Sequence, residues 1–305
     1  TTPRKVLQNA IKNIKENYTL EKFNFERYGH YSLYQEDKLV QDLELISKDY
    51  INGYRDDSPV LGRVKQIKWN KIIDEDKDYK HKGLDQGATV IYMIRTKDEE
   101  QYNSLKQLRS FREDAIQFAS ILHKRRYKKF DLEFVTTSNP EHDDMYIIKF
   151  KINRKSFSYI NRWYPAAYSG EIYINKEDYA IVKVVQNWES TIKEEQMPKY
   201  YYWLGRFKEE LRHKVEYISE YKKHSDGKYY ASRYFTRHYG EETTLNDEFF
   251  NGMFEEEAFL YNYSTENVEI FKFSLQPITK DTNLHGVPYN SEFWNTYNHK
   301  KKMEE

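Results

Sequence analysis

Apolar positions recur along this chain with two periods, and the switch between them lays out its elements. Residues 3–17 place Val6, Leu7, Ala10, Ile11 and Ile14 on one helical face. Thr2 is positioned to cap and Pro3 suits the first turn, so a helix is expected there. From Phe23 the period falls to two. Phe23–Tyr34 and Lys38–Tyr54 flank a Glu36-Asp37 turn, and Arg63–Ile73 reads as a third strand with Val64, Ile67 and Trp69 as candidates for burial. Residues 74–87 are charged and lack periodicity, which predicts a loop. Helical spacing returns at about 99–124, where Leu105, Leu108, Phe111, Ala115, Phe118, Ile121 and Leu122 recur. The basic cluster His123–Arg126 suits a helix C-terminus.

Beyond Phe130 the pattern is strand-like almost to the end. Phe130–Thr136 and Met145–Asn153 flank a polar turn. Tyr168–Ser190 is the clearest stretch: Gly170, Ile172 and Ile174 alternate with Glu171 and Tyr173, a turn follows at Asn175–Asp178, and Ile181, Val182, Val184 and Val185 run back. Lys193–Arg212 is aromatic and charged and reads as a loop with a short helix. Val215–Tyr221 and Lys228–Arg237 flank an Asp-Gly turn, a strong hairpin signal, and Phe254–Tyr263 is expected as the last strand. No repeat and no Gly/Ser/Pro linker divides the chain. The expected architecture is a single α+β domain over 1–305. It consists of a large, curved, half-barrel-like antiparallel sheet with helices packed on one face.

Composition narrows the function classes. The 305 residues carry no net charge, so no global basic field favours nucleic acid or an anionic membrane. Aromatics reach 17%, with 29 Tyr and 17 Phe, which argues against disorder and for sheet surfaces. No run approaches the roughly 18 apolar residues of a spanning helix. Cysteine is absent, which excludes disulfides and Cys-based metal or nucleophile sites. The chain opens at Thr1 without Met, which reads as a processed or trimmed chain.

Two segments resemble a known pattern. One is Arg4–Arg63, opening RKVLQNAIKNIKENY. The other is Tyr127–Glu189, where KKFDLEF, MYIIKF and GEIYINKEDYAI follow in order, and the ending PYNSEFWNTYNH fits as well. They are similar to the region after the immunoglobulin-like module in carboxypeptidase-like regulatory-domain proteins of Bacteroidota. The pattern departs at Tyr28-Gly29, where that family has Tyr-Arg, and the upstream module is absent. The resemblance implies an exported, non-enzymatic protein of the periplasm or outer membrane. It implies no peptidase activity, since the family name refers to the upstream module. More distantly, the order of helix and curved sheet looks like that of bacterial lipoprotein carriers, an analogy of fold that does not fix function.

Candidate chemistry is sparse. Two His-x-x-Glu pairs, His213/Glu216 and His238/Glu241, invite a zinc hydrolase, with His285 as a guessed third ligand. On a strand such spacing sends the two side chains to opposite faces, so only a helical His213 would rescue the pair. Isolated matches of this kind are far more often surface histidines. No Gly-x-Ser-x-Gly, His-Glu-x-x-His or glycine-rich phosphate loop occurs. The acidic runs Asp74–Asp78 and Glu255–Glu257 lack a calcium-loop pattern and read as solvated charge. The aromatic cluster near the central hairpin is the least bland feature. Trp163, Tyr164, Tyr168, Tyr201 and Trp203, with Tyr200 and Tyr202, fit stacking on a sugar or filling an apolar pocket, or simply cross-strand packing. Arg206, with Arg162 and Lys199, would pair with an anionic ligand or cover aromatic surface. The expected function is therefore binding without a cofactor. The ligand would be a lipid-like, apolar or glycan molecule or an envelope protein, with a metal-dependent hydrolase or a purely structural module as rivals.

Overall fold

The computed structural model describes residues 1–54, 61–71, 114–136, 140, 143–162, 164–196, 208–243, 249–270 and 289–298. Helix α1 (Pro3–Asn17) begins where Thr2 Oγ1 accepts from Lys5 N, with Pro3 in the first turn. It buries Val6, Leu7, Ala10 and Ile11, the face set by the 3.6-residue period. Ten strands follow: β1 (Phe23–Gln35), β2 (Lys38–Ile51), β3 (Leu61–Lys71), β4 (Asp131–Phe134), β5 (Met145–Ile152), β6 (Ala167–Asn175), β7 (Ile181–Lys193), β8 (Lys208–Lys223), β9 (Tyr229–Thr243) and β10 (Phe249–Ser264). They form one open sheet in the order β3-β2-β1-β10-β9-β8-β7-β6-β5-β4, and every neighbouring pair is antiparallel. Every pairing except one joins strands consecutive in sequence. That one, β1 with β10, fuses an N-terminal and a C-terminal meander into a continuous sheet. Register shifts interrupt five of these ladders. Such irregularities bend strands and increase local twist, which suits a sheet curling around a core.

The pleat gives the sheet an inner face, which turns to the helices, and an outer face. A single cluster on the inner face joins α1 to side chains of β1 and of β5 through β10, including Phe23, Phe150, Ile172, Ile181, Val184, Trp188, Val215, Tyr217, Tyr234 and Leu260. Helix α1 is tied down at both ends. Arg4 donates to the carbonyls of Tyr127 and Phe130, and Asn17 Nδ2 donates to Asp178 O at 3.0 Å. The Tyr18 hydroxyl donates to Ile181 O at 2.5 Å. Two one-turn helices, α2 (Ala115–Phe118) and α3 (Phe157–Ile160), pack on the same face.

Two expectations are corrected here. The helix expected over about 99–124 does not continue to its end. Residues 99–113 lie outside the described residues, α2 stops at Phe118, Ala119 is extended (φ −67°, ψ 118°), and a 3₁₀ turn covers Ser120–Leu122. Tertiary bonds replace the helical ones: Asn161 Nδ2 donates to Phe118 O, and Ser120 Oγ donates to Tyr159 O. The second correction concerns the loop expected over Lys193–Arg212, whose last part is strand, since β8 begins at Lys208. A further helix, α4 (Ser291–Thr296), lies in the tail that the periodicity left unassigned. Asn290 Oδ1 caps it by accepting from Phe293 N at 2.9 Å. It sits on the outer face, where Phe293, Trp294 and Tyr297 cover Tyr28, Ile46 and Tyr261.

Candidate functional site

Strands β7, β8 and β9 present a mixed inner surface. Register aligns Trp188 with Val215 and then His238, and Gln186 with Tyr217 and then Thr236. Ser190, His213 and Gly240 form the next row. Aromatic and polar side chains therefore alternate across three strands. Tyr168 on β6 stacks on Trp188 with ring centroids 4.8 Å apart, and its hydroxyl donates to Gln186 Oε1 at 2.7 Å. Burial raises the Tyr168 hydroxyl's pKa well above the ordinary range.

The segment after α3 is laid across this surface by three bonds. Trp188 Nε1 donates to Ile160 O at 2.5 Å, Ser190 Oγ donates to Pro165 O at 2.5 Å, and the Tyr164 hydroxyl meets His213 Nδ1 at 2.9 Å. Asn161 turns the chain in the left-handed region (φ 53°), where asparagine is tolerated. Arg162 comes next and is thereby aimed inward. It is 2% exposed, with its guanidinium carbon 4.1 Å from the Trp188 ring centroid and 5.1 Å from that of Tyr217. All three guanidinium nitrogens are buried and make no hydrogen bond to any described residue. Two histidines line the same region. The His213 and His238 rings are 5.8 Å apart, and the Tyr217 hydroxyl meets His238 Nε2 at 3.2 Å.

Among the described residues a second buried cation of the inner face, Arg27, is engaged. Arg27 Nε lies 2.9 Å from Asp49 Oδ2, off the hydrogen-bonding axis, and Nη1 lies 3.8 Å from Glu256 Oε1. Asp49 also accepts from Ser47 Oγ at 2.7 Å. A third polar centre holds α2 to the sheet. Asp114 accepts from the hydroxyls of Tyr234 at 2.5 Å and Tyr221 at 3.0 Å and from Gln117 N at 3.2 Å. Burial outweighs these bonds and raises the Asp114 carboxyl to a pKa of about 6.

The sequence candidates divide as follows. Tyr164 and Tyr168 are buried on the inner face, Tyr168 at 1% exposure. Trp163, Tyr200, Tyr201, Tyr202, Trp203, Arg206, Lys199 and His285 lie outside the described residues. The His-x-x-Glu pairs are on strands. His213 faces inward, whereas Glu216 faces outward, 3.8 Å from Arg237. His238 faces inward, and Glu241 accepts from the outward Tyr239 hydroxyl at 2.6 Å. Neither pair can share an ion. Among the described residues, no group of three or more His, Cys, Asp or Glu comes together to hold a metal. Trp188, Tyr217, Gln186 and Asp114 were not singled out by the sequence reading. The available signal was polar residues at inward positions of β7: Gln186 and Ser190 share the face of Val184, Trp188 and Ile192.

The outer face of the same strands is different in kind. Cross-strand ion pairs run over it, Arg237 with Glu216 and Glu255, and Arg233 with Glu220 and Glu257. An open hollow of about 320 Å³ lies among Glu189, Lys214, Glu216, Arg237, Tyr239 and Met253. Within it Arg237 is paired with Glu216, and it also reaches Glu255, as on a solvated face.

No family profile matches the chain, and no curated protein matches it. Among solved structures, a chain from a structure titled "Lipid-protein interactions in lipovitellin" aligns with 92% of this chain at 10% identity and a TM-score of 0.33. The match spans 28% of that chain's length, and so low a TM-score carries no argument about fold or ligand.

Proposed function

We propose that this protein is a binding module that receives a ligand with an apolar or flat body on the inner face of β7–β9, and that it works by binding and not by catalysis. The observation that carries the reading is the make-up of that face. Gln186, Ser190, His213, Thr236 and His238 interleave with Trp188 and Tyr217 at positions that point inward. Gln186, Ser190, His213 and His238 hydrogen-bond within the fold, but the buried guanidinium of Arg162 set over Trp188 and Tyr217 does not, and that unmet group supports recognition over packing alone. The opposed faces of His213 and Glu216 remove the pair on which a hydrolase reading rested. As part of the same proposal, the strand pattern that resembles carboxypeptidase-like regulatory-domain proteins supports a place in the bacterial envelope.

Native mass spectrometry of protein purified from its own host tests the binding reading. A co-purifying lipid or glycan of defined mass is expected. A bare polypeptide mass in repeated preparations would favour a purely structural module instead.

A further inference from the structure

We infer that Arg162 is the seat for a single carboxylate, so that the ligand of the inner face is a monocarboxylate with an apolar body. The inference rests on the binding reading above and names the chemistry of that same site. Its basis is the arginine itself. A guanidinium carries five donors and keeps its charge at any accessible pH, so enclosing one without acceptors is costly. Arg162 is 2% exposed, and its Nε, Nη1 and Nη2 bond to no described residue. The rings of Trp188 and Tyr217 compensate part of the charge through their faces but accept none of the N–H groups in the plane of the fork. A planar bidentate acceptor fits that plane, and carboxylates match the fork geometry.

The position is built and not incidental. Trp188 Nε1 on Ile160 O and Ser190 Oγ on Pro165 O bracket Arg162 on both sides of the sequence and hold it over β7. One unpaired fork suits one carboxylate. Among the described residues the other inner-face guanidinium, that of Arg27, already sits beside Asp49 and Glu256, leaving one cation for the ligand. The body of the ligand is set by what adjoins the fork. Val215 is buried opposite Trp188 in the register and suits an acyl chain, whereas the faces of Trp188 are taken by Tyr168 and by Arg162 itself, which disfavours a sugar ring there.

Calorimetric titration of the whole chain with decanoate, 1-decanol and glucuronate, each below its aggregation concentration, tests this and separates an apolar body from a sugar. The expected result is that decanoate binds on the order of tenfold or more tightly than 1-decanol, the usual worth of charge-assisted hydrogen bonds. In Arg162→Met that ratio is expected to fall to about one. Binding of glucuronate in place of decanoate, lost in Arg162→Met, would support the carboxylate seat but overturn the apolar body. Equal affinity for decanoate and 1-decanol, or a ratio unchanged in Arg162→Met, overturns the seat and leaves the binding module standing. Failure of the wild-type chain to bind any of the three overturns both.

A melting curve guards against misreading the variant. Removal of an unpaired buried charge is expected to leave the melting temperature of Arg162→Met equal to or above that of the wild type. A clear drop would make Arg162 a structural residue and sink the proposal. Arg162→Lys keeps the charge without the fork and is expected to retain the decanoate preference in weakened form. A full preference in that variant would contradict bidentate seating.

Discussion

Asp114 shows how one buried carboxylate sets a pH response. It is enclosed by tyrosines and accepts from the Tyr221 and Tyr234 hydroxyls; burial first, and then the Asp114 charge, raise the pKa values of Tyr18, Tyr54, Tyr221 and Tyr234 well above their ordinary range. Its own pKa is raised from 3.8 to about 6 because burial penalises the charged form more than the hydroxyls favour it. The folded state therefore holds this proton more tightly than the unfolded chain. The resulting stability is fully present below about pH 4 and is lost as pH rises through about 6. At about 1.4 kcal/mol per pKa unit the step amounts to at most about 3 kcal/mol. Urea unfolding at pH 4 and pH 7 should show the wild type losing more stability over that interval than Asp114→Asn. Parallel losses in the two proteins would refute the assignment. Nothing in the linear sequence marked Asp114. It lies between Glu113 and Ala115 in a run that reads as amphipathic helix, and its partners Tyr221 and Tyr234 are more than a hundred residues away. Arg162, by contrast, could be noticed beside Trp163 and Tyr164, but its burial and its lack of acceptors are properties of three-dimensional placement.

The strands were the most readable elements, because a period of two survives any tertiary context that buries one face. The hairpin of β6 and β7 shows this. Ile172, Ile174, Ile181 and Val184 are all fully buried, as the alternation required. Gly170 belongs to the same inward row but does more than continue it. A Cβ there would come within 1.9 Å of Val185 O and 2.6 Å of Phe150 Cζ, so the absence of a side chain lets β7 and the Phe150 ring close on β6. Gly170→Ala is expected to cost at least about 2–3 kcal/mol, since a backbone oxygen cannot yield as a flexible side chain does. Denaturant titration measures this, and a loss below about 1 kcal/mol would show that the strands separate more easily than their register implies. Helices were read less well. The apolar spacing of Ala115, Phe118, Ile121 and Leu122 is helical, yet the chain leaves the helix at Ala119. Side-chain bonds from Asn161 and Ser120 satisfy or anchor the backbone there, and such partners are invisible to periodicity. Helix α4 is a single short amphipathic turn and a half, too brief for a periodic signal, although Asn290 before Ser291-Glu292 was a usable capping cue.

At the scale of the whole molecule, one sheet divides the residues into two populations. The outer face carries paired charges and a patch closed by α4, and the inner face carries the core and the Arg162 wall. The open antiparallel sheet with helices against it follows from the succession of strand-like runs, so the fold class was readable. The closure of the two meanders through β1 and β10 was not, because it pairs residues more than two hundred positions apart. The candidate site was readable only in its neighbourhood. The aromatic concentration near the hairpin pointed to β6 and the segment before it, while the groups that would contact a ligand, Trp188 and Tyr217, lie on strands whose polar inward positions carried the signal.

Hydrogen exchange followed by mass spectrometry, with and without saturating decanoate, locates the ligand on the molecule and so tests the inner-face site most directly. Slowed exchange, by about tenfold or more, is expected at Ser158–Arg162 and in the parts of β7 and β8 around Trp188 and Tyr217, with the outer-face helix α4 unchanged. Bound decanoate that leaves those segments unprotected, or protects only α4 and the strands beneath it, would contradict the account.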